Sequence, residues 1–184
     1  MYTLELLANF IRIDEDIKDF VVENLTTVDV DKGVILRHAH ALDRKIYFVE
    51  KGLLRTFYLE DGKDITLSFI KENGFVASKE TLFLNLPSAN NMEALEYSTV
   101  SYLNYEVLQK FADTSISVSR LMVYVLGVLA INTEKRIYAL QFMTAKQRYN
   151  QLMQDDPDIL LRAPLGAVAS YLGMTQETLS RIRR

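Results

Sequence analysis

The feature that most constrains this chain is a change of texture at about residue 112. Before it, short runs of Val, Ile, Leu, Phe and Tyr are cut by turn signals at Asp31-Lys32-Gly33, Lys51-Gly52, Asp61-Gly62 and Asn73-Gly74. Each signal offers a glycine where a positive φ is wanted. Strands at this spacing predict an antiparallel barrel or roll between about 26 and 105 rather than alternating βαβ units. A further strand is expected from Leu95 to Leu103, then a helical turn from Tyr105 to Phe111. Ahead of the roll, Ile17, Phe20, Val21 and Leu25 stand at helical spacing and predict a short amphipathic helix over 14–25.

Beyond the change the glycine turns vanish. From Ile116 to Gln141 there is no proline and one glycine, Gly127. Val118, Leu121, Val125 and Val128 form one apolar stripe; Met122, Leu126, Leu129 and Leu140 form a second, interrupted by Thr133 and Arg136. A helix apolar on two adjacent faces needs two partners. The roll supplies one, and the same helix of a second subunit is expected to supply the other; a single core helix of a monomer is the alternative. Thr144 with Gln147 three residues on has the form of a capping box, so a helix should run from there to about Gln154 and end at Asp155-Asp156-Pro157. Pro164 suits a first helical position, and Leu165, Val168, Ala169 and Leu172 make an apolar face that stops at Gly173. Thr175 then caps one more helix, with Glu177 in its first turn.

A short helix, a tight turn containing Gly and a second helix is the helix-turn-helix pattern. In a helix from Gln176, Leu179 and Ile182 face inward, while Gln176, Glu177, Ser180, Arg181 and Arg184 share the opposite side. That side has the chemistry of major-groove edges: Arg pairs with guanine, Glu accepts from cytosine N4 and Gln pairs with adenine. Arg183 lies to one side, where a phosphate contact is expected. An ordinary helical hairpin with a solvated basic face is the competing reading. The pattern predicts an α+β fold: an N-terminal antiparallel β-roll over 1–112, a long helix over 113–143 expected to serve in dimerisation, and short helices over 144–184 in the helix-turn-helix pattern.

Composition narrows the chemistry. With 184 residues and 49% hydrophobic content the chain can bury a real core, and a net charge of −3 confines attraction for any polyanion to a local patch. The chain has no cysteine, which excludes disulfides, thiolate metal sites and thiol nucleophiles. The N-terminus lacks a basic leader and does not read as a signal peptide. The longest apolar run, Leu121 to Ile131, is eleven residues, short of the roughly 20 of a membrane span. A cytoplasmic protein without membrane contact is expected.

The stretch ASYLGMTQETLSRIRR, with the order of roll, long helix and short helices before it, resembles the Crp/Fnr family of bacterial transcription regulators. It is similar in particular to the short members common in Bacteroidetes. Gly33, Gly52, Gly62 and Gly74 add weaker support. The resemblance implies a cyclic-nucleotide-binding-like roll and a homodimer with the long helix at its interface. It also implies an inverted-repeat double-stranded DNA operator, with RNA polymerase and a small-molecule effector as candidate partners. By analogy the base-reading residues fall on Gln176, Glu177 and Arg181, and the best-known members carry Arg where this chain has Gln176. Many members continue into a small β wing, whereas this sequence stops at Arg184.

Members that bind cyclic AMP hold its phosphate with an Arg about ten residues after a Glu, a pairing that a desolvated phosphate needs. Aligned from Phe75, those positions hold Ser78 and Ser88, and no Arg lies between Arg55 and Arg120. Cyclic AMP binding in the family manner is therefore not expected. A remaining pocket lined by Val76, Ala77, Ser78, Ser88 and Ala89, with Asn132 and Thr133 from the long helix, would suit a small neutral or weakly polar ligand; the protein's own side chains filling that space is the alternative. Two rival functions stand beside the regulator. A ligand-binding dimer without DNA binding is one. The other is a cupin-type metal enzyme using His38 and His40, since alternate strand residues share a side; yet these are the only two histidines and Arg44 and Lys45 follow them. Haem sensing would need one of the same two. No catalytic constellation, metal or cofactor is implied.

Overall fold

The computed structural model describes residues 2–8 and 10–183. Two helices open the chain, α1 (Tyr2–Ala8) and α2 (Glu15–Asn24). Asp14 caps α2 by accepting from the Ile17 N–H at 2.9 Å, and Ile17 and Val21 are buried, as the 14–25 periodicity predicts. α1 has no counterpart among the sequence expectations.

Eight strands follow: β1 (Thr26–Val30), β2 (Ile35–Arg37), β3 (Lys45–Lys51), β4 (Leu54–Glu60), β5 (Lys63–Ile70), β6 (Phe75–Val76), β7 (Asn91–Ala94) and β8 (Ser98–Asn104). They form two four-stranded antiparallel sheets in the orders β1-β8-β3-β6 and β2-β7-β4-β5. Tyr47, Val49 and Val100 from the first sheet meet Leu54, Ile70, Met92 and Ala94 from the second in one buried cluster, the core of the roll. The β4–β5 hairpin turns at Asp61-Gly62, both at positive φ, with Glu60 opposite Lys63; this is the twist-matched two-residue turn that Asp-Gly favours. Gly52 is obligatory for a second reason: at φ +100 any Cβ would lie 2.8 Å from the Ser98 Cα and closer still to its side chain.

Two expectations need correction. The strand expected over Leu95–Leu103 starts three residues later, as β8 at Ser98; residues 95–97 form the bend that joins it to β7 of the other sheet. The crossing is made because the Leu95 N–H donates to the Leu53 carbonyl while Ser98 Oγ turns back to the Glu96 carbonyl. At Asn73-Gly74 the left-handed residue is Asn73, φ 64, and not the glycine.

α3 (Lys79–Leu84) bridges β6 and β7, and α4 (Tyr105–Thr114) leads into the long helix α5 (Ile116–Phe142). Of the expected stripes, Val118 is buried; the exposed side carries Val123, Tyr124, Leu126, Ile131, Ile137 and Tyr138, most of which the two-stripe reading omitted. Judged by length and composition, α5 is long and apolar enough to cross a membrane, a point that counting uninterrupted apolar residues misses. α6 (Ala145–Asp155), α7 (Ile159–Arg162), α8 (Leu165–Tyr171) and α9 (Gln176–Ile182) complete the chain. The capping box at α6 is fully formed: the Gln147 N–H donates to Thr144 Oγ1 and the Thr144 N–H to Gln147 Oε1 at 2.8 Å. α7 is a short helix where the sequence reads as loop, and Pro164 stands one position earlier than expected, as the extended residue before α8.

The C-terminal helices do not stand off from the roll. Leu152, Ile159, Val168, Ala169, Leu172 and Leu179 share one buried cluster with Leu53 and Leu95, flanked by Phe69. Burial of side chains from both parts in one cluster ties their stabilities together.

Candidate nucleic-acid interface

α8 and α9 meet at a turn set by Gly173, whose φ of +64 is the left-handed value that ends helices. Thr175 restarts the chain as a helix by accepting from the Thr178 N–H at 3.2 Å, supplying one of the donors that a helix start leaves unpaired. Leu179 is completely buried and Ile182 half-buried, so α9 is anchored by the two residues whose spacing predicts it. Thr175, Gln176, Glu177, Ser180, Arg181 and Arg183 are all exposed, and the structure brings them together on the outer side of one helix. Arg184 lies outside the described residues.

The electrostatics of this face are mixed. Glu177 is held below the usual carboxylate range by its own backbone N–H and the Thr175 hydroxyl, so it is an acceptor only. Among the described residues neither Arg181 nor Arg183 is in an ion pair; Arg181 approaches only the Thr178 hydroxyl, at 3.5 Å. Both guanidinium groups are available to an outside acceptor.

Three arginines to which local spacing assigns no such role hold this face in place. Arg148 of α6 donates to the carbonyls of Met143, Leu172 and Gly173 at 2.5, 2.6 and 3.1 Å, clamping the α8–α9 turn to the end of α5. Arg136 of α5 donates to the Tyr171 carbonyl and lies over its ring, 4.3 Å from the centroid. Arg162 of α7 bridges Glu72 and Glu96, on the β5–β6 and β7–β8 turns of the roll. Ser170 Oγ also accepts from the Thr66 N–H of β5 at 3.1 Å. Nothing in local spacing signals these contacts, since all but the Arg148–Met143 bond join residues far apart in the chain.

The expected effector residues divide. Ser78 and Ser88 are buried, and their hydroxyls are engaged in local structure. Ser78 caps α3 by accepting from the Thr81 N–H, and Ser88 Oγ donates to the Asn90 carbonyl at 3.0 Å. Val76 and Ala77 are half-buried, while Ala89 and Asn132 are exposed. Thr133 lines an open groove of about 520 Å³ between α5 and the start of α3, together with Lys79, Leu126, Leu129, Ala130 and Ile137. His38 and His40 lie in a turn after β2, with His40 at φ 67, so the alternating strand geometry that a metal-chelating pair needs is not formed.

Residues 27–115, a span that runs from β1 past β8, match the cyclic nucleotide-binding domain family. Over most of its length the chain has the fold of solved Crp/Fnr family regulators. FixK2 from Bradyrhizobium japonicum superposes with a TM-score of 0.72 at 23% identity, covering 86% of this chain and 82% of that one. A putative Crp/Fnr regulator from Eubacterium rectale superposes at 0.71 and 19% identity, covering 92% and 82%. The c-di-GMP responsive global regulator CLP from Xanthomonas campestris superposes at 0.71 and 16% identity, covering 92% and 89%. No curated protein matches the sequence at a significant level.

Proposed function

We propose that this protein is a homodimeric, sequence-specific DNA-binding transcription regulator and not an enzyme. Its parts would be a sensor over 1–112, a dimerisation helix over 113–143 and a reader over 144–184. The observation that carries the reading is the two-sided α9: Leu179 wholly buried against the body, and Gln176, Glu177, Ser180 and Arg181 exposed together. These are the donor and acceptor types that read base edges. The exposed apolar side of α5 supports pairing with a second copy, because so long an unpartnered apolar surface on a helix favours association. In such a dimer two α9 helices enter successive major grooves about 34 Å apart, so the operator is an inverted repeat. RNA polymerase would be the downstream partner, and a small-molecule effector of the roll the input. The CLP relative is responsive to c-di-GMP; the absence of Arg from residues 56–119 of this chain supports a different effector from cyclic AMP.

Fluorescence anisotropy on DNA selected from the genome tests the reading, with the oligomeric state measured alongside by sedimentation. Affinity should fall steeply as salt rises, and the particle should be a soluble dimer without detergent. Dimers with no DNA affinity would favour the ligand-binding alternative, and recovery only with detergent would move α5 to a membrane.

A further inference from the structure

The sheet β2-β7-β4-β5 holds two buried arginines that are treated very differently. Arg55 of β4, 8% exposed, is fully provided for: Nε donates to Glu93, and Nη1 and Nη2 donate to the two carboxylate oxygens of Asp64 at 2.7 and 2.6 Å, with Thr66 accepting as well. Arg37 of β2 is only 2% exposed, and its single hydrogen bond runs from Nη2 to Asn90 Oδ1 at 2.8 Å. Among the described residues its Nε and Nη1 are buried with no partner. Burial pulls its pKa down. The carboxylates that oppose this act through space alone, for Asp43 accepts from the Tyr47 hydroxyl at 2.7 Å and Glu80 from the Ser78 hydroxyl at 3.1 Å. An arginine is a donor only and stays charged, so a buried one with idle donors is an arrangement that proteins otherwise avoid.

Its position says what the idle donors face. Arg37 stands directly opposite Met92, a residue of the roll core, and cross-strand partners share a face. Its guanidinium group therefore lies on the inner side of the roll, held at the Ser88–Asn90 loop.

We infer that Arg37 is the anion-holding residue of a ligand site inside the roll, and that the ligand is a small molecule bearing a phosphate or carboxylate group. The oxyanion accepts from Nε and Nη1, the two donors without a partner. Asp43 and Glu80, close enough to act on Arg37 through space, disfavour a second negative charge and accept from hydroxyl or amine groups on the rest of the ligand. The cation comes from β2, beside the Ser88–Asn90 loop, and not from within the 78–88 segment where spacing places it in cyclic AMP binders, and the ligand is an anion in place of the neutral molecule expected from the sequence. The inference deepens the reading of the roll as the effector domain. It does not depend on DNA binding, and the test contains no DNA, so failure of one leaves the other standing.

The test uses the full chain labelled with 15N-arginine, in chloride buffer at constant ionic strength. Inorganic phosphate and succinate are titrated separately, with uncharged succinamide as the control. The Arg37 Nε–H resonance is assigned by its loss in Arg37→Met, or in Arg37→Lys should the methionine variant not fold. A saturable shift of that resonance with phosphate alone assigns a phosphate-bearing ligand, and with succinate alone a carboxylate-bearing one; saturation by both supports the anion site without ranking the two. The Arg55 resonance should stay still throughout. No saturable shift with either anion, an equal response to succinamide, or equal shifts at Arg37 and Arg55 would overturn the proposal.

Discussion

Arg162 of α7 grips Glu72 of the β5–β6 turn with two parallel hydrogen bonds, Nη1 to Oε2 at 3.0 Å and Nη2 to Oε1 at 2.8 Å. The same guanidinium group reaches Glu96, and Glu72 also accepts from the Gly52 N–H. The C-terminal helices are thus pinned to the roll by a planar fork on one carboxylate, a geometry that lysine cannot reproduce.

A pH dependence follows from this pair. Arg162 is the main reason that the Glu72 carboxyl is lowered to about 2. A depressed carboxylate stabilises the fold above its unfolded pKa of roughly 4.3, and that contribution fades as pH falls toward the folded value. Because both side chains retain solvent contact, Glu72→Gln should cost only about 1 kcal/mol at pH 7. In thermal melts the gap between wild type and variant should be constant above pH 5 and close progressively toward pH 2; a gap that widens in acid would contradict the assignment.

Leu179 is the inward anchor of α9, and its cluster contains Leu53 and Leu95 of the roll. Leu179→Ala should cost on the order of 2–5 kcal/mol. Since the cluster spans both parts, guanidinium unfolding followed by far-ultraviolet circular dichroism and by tyrosine fluorescence should give one coincident transition, shifted in the variant. Two separated transitions would show that roll and reader unfold independently.

Thr175 tests the start of α9. Thr175→Ala removes the bond from the Thr178 N–H and should cost about 1 kcal/mol, whereas Thr175→Ser keeps the acceptor and should cost less. Hydrogen exchange at the first turn of α9 would report the difference, with faster exchange in the alanine variant alone.

The roll, the long helix and the helix-turn-helix were legible because each is written in short-range pattern: Asp61-Gly62 for the hairpin, Thr144 with Gln147 for the box, and Leu179 with Ile182 for the buried side of α9. The exposed candidates from Thr175 to Arg183 could be named for the same reason, since one helix sets their common side. What was missed is long-range. Leu95 looks like the start of a strand, but it leaves one sheet for another because Leu53 accepts its N–H. Arg148 and Arg162 look like ordinary surface charges until the fold brings Gly173 and Glu72 to them. Arg37 does not stand out in the sequence because family spacing places a phosphate partner at 78–88, and the burial of β2 cannot be read from its three residues.

Arg148 therefore carries a prediction of its own. It donates to three carbonyls at the junction of α5 with the α8–α9 turn. Arg148→Met should destabilise the chain by on the order of 2 kcal/mol, the scale of hydrogen bonds from a charged donor. In the DNA assay it should weaken binding to all sequences alike without changing which base is preferred. A changed base preference would place Arg148 at the DNA and remove it from the scaffold.

The central claim is that the outer side of α9 reads sequence. Selection of genomic fragments by the purified protein, repeated with Arg181→Ala, tests it most directly. Wild type should enrich an inverted repeat with half-sites one helical turn apart. The variant should lose on the order of 1–3 kcal/mol of affinity and relax preference at one symmetric base pair of each half-site. Enrichment of no common sequence by wild type, or an unchanged preference in Arg181→Ala, would contradict the account.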